Sequence, residues 1–254
     1  MKNRLLLLPV LLAVVFSFNT ALVTPAPQEK TGTIKITFIN TVKGNPIVLN
    51  TANYTNHFAE EYTVSKFKYY ISNIGLAFSD AVYAETESYH LVDESDPASL
   101  SFSFLADVNT YHSISFMLGV DSIKNVSGAQ TGALDPLNDM FWTWNSGYVM
   151  AKMEGNSPQS KMVNNKIEFH IGGFSGVNNV LKKLMLNFPA DILLDVRENK
   201  LSEIIIEADL DKWWQASNDL KITDNPVCTT PGILAKKFAD NYSKMFTIKK
   251  VVNN

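Results

Sequence analysis

The chain has 254 residues, 46% of them hydrophobic and 19% charged, a composition that excludes a disordered chain and supports one large domain or two small ones. Its 22 basic and 25 acidic residues leave a net charge of −3, and Arg4 and Arg197 are its only arginines, so the basic face with arginine forks that nucleic acid requires is missing. A single cysteine, Cys228, excludes an internal disulfide framework and every multi-cysteine zinc or iron–sulfur site.

At the amino terminus, Lys2 and Arg4 precede an apolar run from Leu5 to Phe18, and small residues follow around Ala21 and Thr24-Pro25-Ala26. This layout predicts a secretory signal peptide over residues 1–26, with an uncleaved anchor as the alternative. Its removal takes away Lys2 and Arg4 and no acidic residue, moving the charge from −3 to −5. No later segment has the length of a transmembrane helix. The expectation is therefore one exported domain over residues 27–254, in the periplasm, secreted or at the cell envelope, held together by core burial without disulfides.

Along that domain the dominant period is two. Thr33–Ile39, Phe67–Ile74, Tyr89–Asp93, Tyr111–Leu118, Tyr148–Met153, Lys166–Ile171 and Leu201–Leu210 alternate apolar with polar residues, as half-buried strands do. Turn residues separate them at Lys43–Pro46, Glu94–Pro97, Gly155–Pro158 and Arg197–Asn199. The pattern predicts a mainly β fold, an antiparallel β-sandwich of at least seven strands. Helices are expected over Asp211–Ser217 and over Pro231–Phe246, where Leu234, Phe238 and Tyr242 recur at four-residue spacing.

The stretch from Gly132 to Gly155 carries two Trp, one Phe, one Tyr, three Met and three Gly in 24 residues. Composition leaves three readings open: an aromatic cap on one end of the sandwich, a platform for stacking sugars, or the apolar wall of a metal pocket. The order of motifs adds information. Lys68-Tyr69-Tyr70-Ile71-Ser72-Asn73, Tyr89–Asp93, Ile114–Asp121, Gly132–Pro136, Met140–Tyr148, Glu154-Gly155 and Phe169–Gly173 together resemble the MbnP family, related to CorA of methanotrophs, across about residues 31–250. The resemblance implies an exported copper-binding protein acting in copper acquisition, storage or homeostasis. It also implies a tryptophan near the metal that a di-haem peroxidase-type partner oxidises to kynurenine, for which Trp142 and Trp144 lie inside the shared motif and Trp213 and Trp214 do not.

Four histidines can serve a copper ion, since imidazole suits that metal. His57 sits in a polar loop, a common place for ligands. His112 shares parity with Ile114, Phe116 and Leu118, so it is expected to face the core, as a ligand or as a hydrogen-bonded core histidine. His170 has the opposite parity to Phe169 and Ile171 and precedes Gly172-Gly173, which leaves it accessible as a ligand or as an ordinary surface residue. With histidines of the copper-binding relatives drawn from separated parts of the chain, the candidate metal set is His57, His112 and His170, with His90 ranked last. Cys228 reads as a soft ligand, an intermolecular disulfide partner or a small buried residue, with the last favoured. Asp135 and Asp139 read as turn residues, because a calcium loop's regular acidic spacing is missing. No nucleophile elbow, zinc-protease helix, P-loop or dinucleotide fingerprint appears, so a non-enzymatic binding protein is expected. The competing expectation is a cell-envelope sandwich that recognises a glycan or protein through a Trp/Tyr-rich edge.

Overall fold

In the computed structural model, which describes residues 30–254 apart from Glu87, Ala129, Trp144, Asn145 and the side chain of Thr143, the alternating segments form a β-sandwich. The expected signal peptide lies outside the described residues. The principal strands in chain order are β1 (Thr31–Val42), β2 (Lys66–Phe78), β3 (Ala81–Ala84), β4 (Tyr89–Asp93), β5 (Ser101–Asp107), β6 (Ser113–Leu118), β7 (Phe141–Thr143), β8 (Gly147–Asn156), β9 (Lys166–Gly172), β10 (Lys182–Asn187), β11 (Leu201–Asp209), β12 (Val227–Cys228) and β13 (Phe246–Val252). The helices are α1 (Ser122–Val126) and α2 (Ile233–Tyr242). Among the described residues no helix is long and apolar enough to cross a membrane.

One sheet runs β13-β11-β1, with β5 on the other side of β1. The other runs β10-β6-β2-β8-β9-β12, with β7 on β8 and both β3 and β4 on β2. Most pairings are antiparallel, as expected. Two are parallel, β1 with β11 and β9 with β12, and each joins strands separated by long stretches of chain, which parallel pairing requires. The inner faces meet through Ile34, Ile36 and Phe38 from one sheet and Phe67, Tyr69, Ile114, Phe116 and Phe169 from the other, all essentially inaccessible. Phe246 locks the layers, placing its ring 5.4 Å from Phe116, 5.5 Å from Tyr69 and 6.3 Å from Phe38, edge-on in each case.

The structure departs from expectation in its shorter and later strands and in one helix. Strands β3, β5, β7, β10, β12 and β13 lie outside the expected set, and β10 has no buried residue to mark it. The helix expected over Asp211–Ser217 is a single 3-10 turn, Leu210–Trp213, opened by the Asp209 carboxylate accepting from the Asp211 amide. Trp213 and Trp214 then fill the core, so the chain there follows burial and not helical propensity. The carboxy-terminal helix forms close to where its four-residue spacing puts it.

A buried carboxylate ties the loop before β2 to the segment before β12. Glu60 accepts from Asn56 Nδ2 (2.7 Å), the Ile222 amide (2.8 Å), the Thr223 amide (2.9 Å) and the Thr223 hydroxyl (2.8 Å). Burial raises its pKa, but these four donors outweigh burial and hold the carboxyl below the usual glutamate range. A depressed folded pKa stabilises the fold above the unfolded value of about 4.3 and loses that contribution as pH falls through the folded value. Glu60→Gln is expected to cost about 1.5–3 kcal/mol at neutral pH, with the gap to wild type narrowing in acid, as measured by denaturant titration at several pH values. Phe116→Ala is expected to cost about 3–5 kcal/mol, while Leu137→Ala, at a fully solvated turn, should cost less than about 0.5 kcal/mol in the same assay.

Candidate metal centre

Strands β8 and β9 build the site because their inward residues leave no choice of register. Ala151 and Met153 on β8 and Ile167, Phe169 and Ile171 on β9 are buried, which turns Lys152 and Glu154 and also Lys166, Glu168 and His170 to the outer face. Antiparallel pairing sets Lys152 opposite His170 and Glu154 opposite Glu168, while β2 sets Lys66 opposite Glu154 and Lys68 opposite Lys152. Cross-strand neighbours on one face stand close enough for their side chains to interact.

The result is a cluster of one imidazole and two carboxylates. His170 Nε2 lies 2.9 Å from Glu154 Oε1 and 3.6 Å from Glu168 Oε1, and one donor atom from each of the three falls within 4.8 Å of the other two. Among the described residues no other trio of His, Cys, Asp and Glu brings its donors so close. Two metal–ligand bonds of about 2.0–2.2 Å at a right angle separate their donor atoms by about 3 Å, so the His170–Glu154 pair already has the spacing of adjacent ligands. The side chains are partly shielded, with 15% of His170, 12% of Glu154 and 26% of Glu168 exposed, which leaves an approach from solvent.

Lysines and a turn frame the cluster. Lys66 Nζ is 3.5 Å from Glu154 Oε2 and 3.1 Å from Asp139 Oδ2, and Lys166 Nζ is 3.1 Å from Glu168 Oε1. Lys152, buried beneath the turn, donates to the main-chain oxygen of Asp139 and sits 3.0 Å from its carboxylate. Asp139 is thus a turn residue holding two ammonium groups, and Asp135 caps the preceding 3-10 turn, in line with the reading of both as turn chemistry. From Asp139 the chain passes into β7, where the Trp142 ring lies over Gly172, two residues beyond His170 on the same strand. A methyl group at position 172 would come within 2.4 Å of that ring, so glycine is required. Trp144, the other candidate for oxidation, lies outside the described residues.

The three histidines of the expected set do not meet. His57 is exposed, its ring 5.7 Å from Phe58. His112 is exposed too, against the expectation that it faces the core. The chain leaves one ladder with Tyr111 opposite Leu194 and enters another with Ser113 opposite Ala77, and the break between them reverses the alternation. His90 is engaged elsewhere, 3.0 Å from Glu85 Oε1 and stacked 3.4 Å above Phe102. Only His170 of the expected set joins other donors, and its partners Glu154 and Glu168 lay outside that set. Cys228, paired with Phe169 on the core side, is buried, and burial pushes its thiol up to about 11, which fits the reading of a small buried residue.

Burial raises the Glu154 pKa, but the hydrogen bond from His170 and the positive charges of Lys66, His170 and Lys152 outweigh it and hold the carboxyl below its usual range. A carbon-13 titration should find Glu154 ionising below a free glutamate in wild type and at a higher pH in His170→Ala; an unmoved Glu154 would mean the imidazole contributes nothing to its charge state.

The family model for MbnP matches residues 31–230, and the chain belongs to the MbnP family. Among solved structures, MbnP from Methylosinus trichosporium has the same fold, with a TM-score of 0.53 and 13% identity, covering 86% of this chain and 98% of that one. No curated protein matches significantly.

Proposed function

We propose that this member of the MbnP family is an exported copper-binding protein whose metal site is the Glu154–Glu168–His170 cluster on the outer face of β8 and β9. The observation that carries the reading is the 2.9 Å approach of His170 Nε2 to Glu154 Oε1 with Glu168 alongside. Membership of a family linked to copper handling supports the choice of metal. The charged start and apolar run of residues 1–26 support export.

The donor set selects the oxidation state. Imidazole nitrogen and carboxylate oxygen suit Cu(II), whereas Cu(I) favours thiolate and thioether sulfur. On the strands that build the cluster and the strand paired with β9, Met153 and Cys228 place their sulfurs in the core layer on the other side of the sheet. Trp142, whose ring lies against Gly172 on the same strand as His170, would supply an apolar wall beside the ion, and Trp142 or Trp144 would be the tryptophan that a peroxidase-type partner oxidises.

Calorimetric titration of the mature protein with Cu(II) should give one site. His170→Ala should weaken it at least tenfold, while His57→Ala, His90→Ala and His112→Ala should leave it within about twofold, since a non-ligand imidazole contributes no metal bond. Copper at a hundredfold excess over Kd should stabilise the fold by about 2.7 kcal/mol. Affinity should fall as the solution is acidified, because protons compete for the imidazole lone pair. Equal binding by wild type and His170→Ala would move the site elsewhere. A wild type that takes up no copper would leave recognition of a glycan or protein partner through the Trp142 edge as the better reading.

A further inference from the structure

The metal reading leaves one group unaccounted for, the ammonium that already stands on Glu154. Lys66 contacts two carboxylates, Glu154 Oε2 at 3.5 Å and Asp139 Oδ2 at 3.1 Å. Its place on β2 directly across from Glu154 anchors its stem and leaves the ammonium within reach of both acceptors at once. The neighbouring lysines lack this freedom. Lys152 is only 3% exposed and is pinned to both the main chain and the carboxylate of Asp139, and among the described residues Lys166 pairs with Glu168 alone.

We propose that Lys66 is the exchangeable counter-ion of this cluster: its ammonium neutralises Glu154 in the metal-free protein and withdraws to Asp139 when a divalent cation binds. The inference rests on the reading of the cluster as a metal site and says how that site chooses its cation. A monovalent cation carries the same charge as the ammonium already in place and gains no electrostatic advantage on Glu154 by displacing it. A divalent cation carries twice that charge and also gains the imidazole of His170. The displaced ammonium does not go unpaired, because the Asp139 carboxylate, 58% exposed and already in contact, receives it on the solvent side. Asp139 also leads directly into the strand of Trp142, so the exchange changes the charge balance at the turn that positions the ring.

The test compares Cu(II) affinity by calorimetry in wild type, Lys66→Met, Lys66→Arg and Lys166→Met, at low and high salt. Removing a competing charge in contact with the ligand should tighten binding by Lys66→Met on the order of tenfold at low salt and by less at high salt. Lys66→Arg should resemble wild type, and Lys166→Met should gain less than Lys66→Met. Saturation of wild type with diamagnetic Zn(II) should shift the Asp139 carboxyl carbon resonance, and the shift should be lost in Lys66→Met. Lys66→Met that binds no more tightly than wild type, with its metal-free melting unchanged, would overturn the proposal; should that variant fail to fold, an Asp139 resonance unmoved by zinc in wild type would do so instead. Absence of copper binding by wild type would remove the metal site itself, and this exchange with it.

Discussion

The register of β8 against β9 is the constraint on which the rest of the site depends. Met153, Ile167, Phe169 and Ile171 have to lie in the core, and a slip of one residue would turn that whole row outward while burying Glu154, Glu168 and His170. Several inaccessible apolar side chains at about 1.5–3 kcal/mol each far outweigh anything gained by pairing charges on the outer face. The core therefore sets the geometry of the cluster, and the cluster needs no stabilisation of its own to stay assembled. Such a site can be held at ligand spacing before any ligand arrives, which lowers the cost of binding.

That outer face is a lattice of opposite charges and not a uniform patch. Asp93 faces Lys68 at 2.9 Å, Asp139 faces Lys66 and Lys152, Glu154 faces Lys66 and His170, and Glu168 faces Lys166. The more exposed of these pairs, Lys66–Asp139 and Lys166–Glu168, contribute little to folding, at most about 1 kcal/mol each. Their effect is local: they bring two carboxylates beside one imidazole without leaving a bare negative charge. The 132–140 turn completes the arrangement by covering Lys152, so the buried ammonium has a main-chain oxygen and a carboxylate as partners.

Much of this was legible in the sequence, and the exceptions have identifiable causes. Period-two alternation located β1, β2, β4, β6, β8, β9 and β11, because each has one face in the core. It missed β10, whose residues alternate only between exposed and half-exposed, and β13, which follows a helix and pairs with a strand some forty residues earlier. Parity gave the right face for His170 and the wrong one for His112, since parity holds only within one ladder and His112 sits between two. The spacing Glu168-x-His170 on a strand already puts both side chains on one face, and that signal was available. Glu154 was not reachable in the same way, because a cross-strand neighbour is known only once the register is known.

The separation of the four histidines bears on what kind of metal site this fold can carry. His90 is committed to Glu85 and Phe102, and His57 and His112 stand in the open at other places on the surface. A site built from several imidazoles would need two of them to leave those places, at the expense of backbone ladders on either side. A site built on His170 needs no such movement, because its two carboxylates come from the same pair of strands. The donors then follow from the architecture: a sheet face supplies side chains at alternate positions of adjacent strands, and here those positions hold nitrogen and oxygen while the sulfurs of Met153 and Cys228 take the inward ones. The division of residues between the two faces, made by the demand for an apolar core, is thus also what separates hard and borderline ligands from soft ones, and it tilts the exposed face towards divalent cations.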